Sequence, residues 1–97
     1  MYEIIYTIEA EEDIKSFRKF EQQFLVDEID RHLQFEPAIP TRKRKKLRPN
    51  DLAEWELRID RFRVFYDVQE VVKIVKIVAI GQKQGNKVFV HGEEYDL

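Results

Sequence analysis

The stretch from Trp55 to Val68, W-E-L-R-I-D-R-F-R-V-F-Y-D-V, constrains this chain more than any other. It is two alternating runs joined by a polar pair. Trp55, Leu57 and Ile59 alternate with Glu56 and Arg58, and Phe62, Val64 and Tyr66 alternate with Arg63, Phe65 and Asp67. Period-two alternation of aromatic and β-branched residues marks half-buried strands. Asp60-Arg61 is the expected two-residue turn, although it lacks the glycine such turns favour. That loop length fixes a register: Ile59 with Phe62, Arg58 with Arg63, Leu57 with Val64, Glu56 with Phe65, Trp55 with Tyr66. One face is wholly apolar, so Trp55 and Tyr66 belong to the core. The other sets Arg58 opposite Arg63. Like charges facing each other across a sheet cost a few tenths to about 1 kcal/mol. The pair either holds an anion or is neutralised by Glu56 and Asp67.

The rest of the chain is read around this hairpin. Tyr2 to Thr7 is a strand pattern. Glu9, Glu11, Glu12 and Asp13 then load the first turn of a helix, where negative charge suits the helix dipole. Ile14 and Phe17 face the core, and a phase shift at Arg18 to Phe20 predicts a break. A second helix runs to about Glu36 with Phe24, Leu25, Ile29 and Leu33 as its apolar stripe, and Pro37 ends it. Gln69-Glu70 is a tight turn. Val71 to Ile80, nearly all apolar, is a central strand covered on both faces. Gly81 ends it, Gln82 to Asn86 is a loop carrying Lys83, and Lys87 to His91 is a short last strand. The tail G-E-E-Y-D-L is expected to fray.

Pro37 to Leu52, with three prolines and Asn50-Asp51, reads as irregular. It holds Arg42, Lys43, Arg44, Lys45, Lys46 and Arg48, six cations in seven residues. Such a run binds nucleic acid, pairs with an acidic partner, or is simply solvated. The net charge of −2 conceals the asymmetry. Residues 1–36 carry ten acidic and four basic groups, and residues 37–97 carry nine acidic and thirteen basic.

At 97 residues this is one domain, 1–97, with a single core. The expected class is α+β: an N-terminal strand, then a helical hairpin packed on one face of a mostly antiparallel sheet of four or five strands. With no Cys, disulfides, thiolate metal sites and a cysteine nucleophile are excluded, which fits a cytoplasmic protein. Two histidines far apart in sequence suggest no metal site, and no cofactor is implied. No apolar run reaches membrane-spanning length and no signal peptide is read.

The element order, the block W-E-L-R-I…F-R-V-F-Y-D-V and the closing A-I-G-Q-K-Q-G-N-K-V-F-V resemble the RelE/ParE superfamily of toxins from toxin–antitoxin pairs. The resemblance covers nearly the whole chain. It implies a cognate antitoxin as partner, and one of two targets: mRNA on the ribosome, cleaved by RelE-like members, or DNA gyrase, poisoned by ParE-like members. Laid on the RelE pattern, Arg63 falls on an arginine that binds the reacting phosphate, and Arg58 on another arginine of that strand. Lys83 falls where RelE has a catalytic arginine. Glu54 and Glu56 fall where RelE has lysines, and Phe89 where it has a tyrosine.

Metal-free RNA cleavage needs a base for the 2′-OH, cations for the developing charge, and a proton for the leaving oxygen. Arg58 and Arg63 would clamp the phosphate, Lys83 would add charge or a proton, and Glu56 would be the base, unless it is held in a salt bridge. Phe65 and Phe89 would stack on bases or pack. The leading expectation is a ribosome-dependent mRNA endoribonuclease. The alternatives are a gyrase inhibitor and an inactive antitoxin-binding relative.

Overall fold

The computed structural model describes residues 1–95. Its elements in chain order are β1 (Glu3–Tyr6), α1 (Ile8–Lys15), α2 (Lys19–Leu33), β2 (Arg44–Lys46), β3 (Trp55–Ile59), β4 (Phe62–Gln69), β5 (Ile74–Gln84), β6 (Lys87–Val90) and β7 (Glu93–Tyr95). Two helices pack on a curled, mostly antiparallel sheet, the expected α+β arrangement.

The hairpin holds its register at all five pairs, from Trp55 opposite Tyr66 to Ile59 opposite Phe62. Asp60 supplies the positive φ, 51°, that a glycine would otherwise provide. Leu57, Ile59, Phe62, Val64 and Tyr66 are buried under the helices with Leu25, Ile29 and Leu33 of α2. Tyr66 stacks on Trp55 at 6.1 Å and donates its hydroxyl to the Pro37 carbonyl at 2.8 Å. Phe24, expected in the apolar stripe, is instead 39% exposed.

The helix break falls at Ser16 to Arg18. Thr7 caps α1 by accepting the Ala10 N–H, and Glu21 reaches back to the Arg18 N–H at the start of α2. No helix among the described residues is long and apolar enough to cross a membrane.

The sheet is larger than expected, with seven strands among the described residues in place of four or five. The order is β2-β3-β4-β5-β6-β7, and β1 pairs with β5 in parallel. Arg44–Lys46 of the basic run forms a strand against β3, and Glu93–Tyr95, expected to fray, forms β7. Asp96 and Leu97 of that tail lie outside the described residues. Val71 and Val72 are not strand but an exposed turn, with Lys73 at φ 56°. β5 runs on through Gly81 to Gln84, so Lys83 sits in a strand and not in a loop. A Cβ at Gly81 would run into the Phe89 carbonyl oxygen and lie 2.8 Å from Val90 Cγ2. The glycine therefore permits β6 to curl over the face opposite the helices.

Candidate functional site: the face opposite the helices

Paired residues in antiparallel strands share a face, so the register sorts the candidates. Glu56 pairs with Phe65 and Lys45, and Arg58 pairs with Arg63, which pairs with Gly81. Lys83 lies two residues beyond Gly81 and faces the same way. Lys45, Glu56, Arg58, Arg63 and Lys83 therefore share the face opposite the helices.

Within this group, Glu56 is clasped. Arg58 Nε donates to Glu56 Oε1 at 3.1 Å, and Arg63 Nε lies 3.8 Å from the same oxygen. The Glu56 side chain is only 7% exposed. Arg63 also turns inward. Its Nη1 donates to the carbonyls of Asp60 and Phe62, both at 2.8 Å, which braces the turn. Burial pushes the Arg63 pKa below the ordinary arginine value, with Glu56 pulling it up and Arg58 pushing it down. An arginine so placed remains charged. The facing arginines are thus partly neutralised by Glu56. Asp67 is engaged elsewhere, accepting the Glu54 N–H.

Arg58 keeps 47% of its side chain exposed, and Lys45 and Lys83 are exposed. These three cations can meet an anionic partner. Glu56 is the only carboxylate in contact with either arginine among the described residues, and both contacts hold it in place. A general base must reach the hydroxyl it deprotonates, and Glu56 faces inward.

Two aromatic expectations are corrected. Phe65 is fully buried and cannot stack on a base. It is the floor of a second small core with Leu47, Ala53, Ala79 and Val90, formed where the curled sheet brings the β2 and β6 sides together. Phe89 pairs with Gln82 and so lies on the helix side, away from the arginines. The two-residue reach of the Gly85-Asn86 turn sets this parity, and a one-residue offset reverses a strand's faces.

The basic run does not form one surface. Arg44 is structural: its Nη1 donates to the His32 carbonyl at 2.7 Å, a group at the end of α2, and its Nε to the Ile39 carbonyl of the following loop at 3.0 Å. Lys46 lies over the Trp55 ring at 5.4 Å and pairs with Glu54. Lys43 sits in a bend with its N–H held by Thr41, and its charge helps to lower the Glu28 and His32 pKa values. Arg42 and Arg48 are exposed. Within β2, only Lys45 joins the arginine face.

Sequence reasoning missed Asp13, which it assigned to the helix dipole. Asp13 Oδ2 accepts the Ile80 N–H at 2.9 Å and lies 3.0 Å from His91 Nε2. It also missed Tyr95, which pairs with Val88 and so shares a row and a face with Lys83. Among the described residues no group of three or more His, Cys, Asp or Glu side chains is placed to hold a metal ion.

The model of the ParE toxin of type II toxin–antitoxin systems, parDE, matches residues 4–86. Among solved structures, the chain is similar to the crystal structure of the toxin–antitoxin complex RelBE2 from Mycobacterium tuberculosis. The TM-score is 0.67 at 20% identity, covering 84% of this chain and 98% of that one. At that identity the likeness is one of fold. No curated protein matches the chain.

Proposed function

Because the chain belongs to the ParE toxin family of type II toxin–antitoxin systems, we propose that it arrests growth by binding DNA gyrase, with no catalytic step of its own. The clasped Glu56 carries this reading. The carboxylate best placed to act as a base is held by Arg58 and Arg63, and Arg63 in turn braces the backbone of its own turn. A binding toxin needs neither group free. Phe89, on the helix side, supplies no proton to this face.

The antitoxin is the natural partner for the exposed cations Lys45, Arg58 and Lys83. The similar solved structure is itself a toxin–antitoxin complex, and an acidic segment complements three cations on one face.

A supercoiling assay with purified toxin and gyrase tests the reading. Loss of supercoiling or a trapped cleavage complex is the expected result. Unimpaired supercoiling together with cut mRNA on stalled ribosomes would replace it with mRNA cleavage. One observation favours that second reading: exposed Lys83 and the phenol of Tyr95 lie in one cross-strand row on the arginine face.

A further inference from the structure

The end of the molecule remote from the arginines is apolar without structural need. Val71 is 97% exposed and Val72 59% exposed, in the turn between β4 and β5. Chain reversals ordinarily use Gly, Pro, Asn, Asp or Ser, each for a backbone reason. Val71 there gives the fold nothing, being almost wholly exposed, and Val72 keeps more than half of its surface in solvent. Tyr2 ties this turn to two further exposed apolar residues. Its hydroxyl donates to Glu70 at 2.9 Å, and Lys73 lies 5.0 Å over its ring. Its backbone N–H donates to the Gln34 carbonyl at 2.8 Å. Met1, 80% exposed, and Phe35, 62% exposed, adjoin those two bonded groups in the chain. Exposed apolar clusters of this kind mark protein contacts.

The charges around the cluster indicate its partner. Glu3, Glu36 and Glu70 are exposed there, beside the cations of Lys73 and the Met1 amino group. Three carboxylates to two cations leave this surface net negative, which disfavours a second copy of the same surface and favours a basic partner. The antitoxin segment that suits Lys45, Arg58 and Lys83 carries the opposite charge. Gln69 lies six steps beyond Arg63 along β4, about 20 Å at 3.3 Å per residue, so both surfaces can be occupied at once.

We infer that the Val71–Val72 end is the target-facing surface of the toxin, and that it receives an apolar segment flanked by lysine or arginine on the target protein. The inference rests on the reading of the chain as a growth-arresting toxin, and it does not depend on which enzyme is the target.

The test uses the full chain with Val71→Ser and Val72→Ser together, and separately with Glu3→Lys and Glu36→Lys together. Four readouts are taken: growth arrest on induction without antitoxin, antitoxin affinity, sedimentation, and inhibition of gyrase. Both variants are expected to keep the wild-type melting temperature and antitoxin affinity, while arrest weakens at least tenfold. Full arrest by the serine variant overturns the inference, as does absence of arrest by the unaltered chain. A serine variant that arrests growth but binds antitoxin tenfold more weakly shows an antitoxin contact and overturns it. A wild-type dimer that the serine variant dissolves shows a self-contact and overturns it. If the serine variant loses arrest while the unaltered chain never inhibits gyrase holoenzyme, the inference stands and the gyrase reading falls.

Discussion

Asp13 on α1 accepts the backbone N–H of Ile80 on β5 at 2.9 Å, so a helix side chain completes the hydrogen bonding of the sheet. β1 pairs with β5 from Ile74 to Ile77, and β6 pairs with it from Gln82 to Gln84. Between them the edge of β5 is served by side chains. Thr7 donates to the Val78 carbonyl at 3.0 Å, and Asp13 takes the Ile80 N–H. A buried backbone group without a partner is costly, so this gap has to be filled.

The Asp13 carboxyl has a pH signature. Burial pushes its pKa above the ordinary 3.8, against the pull of the Ile80 N–H and of His91. A carboxyl raised in the folded state binds its proton more tightly folded than unfolded. Its contribution to stability is full below 3.8 and is lost as pH rises through the raised value. Asp13→Asn keeps an oxygen for Ile80 and does not ionise. Thermal melts from pH 3.5 to 7 should therefore show the Asn variant gaining on the wild type as pH rises. Asp13→Ala should cost about 1–3 kcal/mol by leaving the N–H unpaired. Identical pH slopes for wild type and Asn variant would remove this account.

Arg63 is expected to be a stability residue. Arg63→Ala removes two donors from the turn carbonyls and leaves Glu56 with less compensation. The cost should be about 2–4 kcal/mol in denaturant unfolding. Adding Glu56→Gln should recover part of it, which a double-mutant cycle reads directly. An Arg63→Ala variant as stable as wild type would show that the guanidinium is free for a ligand.

Gly81 is expected to tolerate no side chain. Gly81→Ala sets a methyl against the Phe89 carbonyl and Val90, and backbone cannot yield as a flexible side chain can. The expected loss is about 1–3 kcal/mol, as for other overpacked sites. A melting temperature within a degree of wild type would mean that the curl of β6 does not depend on this glycine.

The three exposed cations should control antitoxin association. Changing Lys45, Arg58 and Lys83 together to Gln should slow association about tenfold at low salt and flatten its salt dependence, since exposed charges act mainly on encounter. Stopped-flow mixing at 50 and 200 mM salt reads both. Equal salt slopes for wild type and variant would place the antitoxin elsewhere.

The long hairpin was legible because ten alternating residues and a two-residue loop leave one register that buries all the apolar side chains. Glu56, Arg58 and Arg63 followed from that register at once. What did not follow was direction at short range. Alternation places Arg63 on a face but does not say that its guanidinium bends back to the turn carbonyls. β2 and β7 are three residues each, too short to show a period. Val71 and Val72 read as strand because valine favours strands, yet the turn is set by the pairing of Gln69 with Ile74. The basic run looked like one surface because charge in sequence is one-dimensional. Once Lys45 pairs with Glu56, its neighbours Arg44 and Lys46 point to the other face.

The parallel pairing of β1 with β5 also sets an order of events. Glu3 is made before its partner Ile74, which follows 71 residues later. At about 5–20 residues per second, the first strand waits roughly 4–14 s for its place in the sheet. Until then Ile4 and Tyr6 have no strand beside them, and α1 lacks the edge that Thr7 and Asp13 serve. The sheet therefore cannot close until β5 has been made, and everything from β1 to β4 emerges before the finished surface exists.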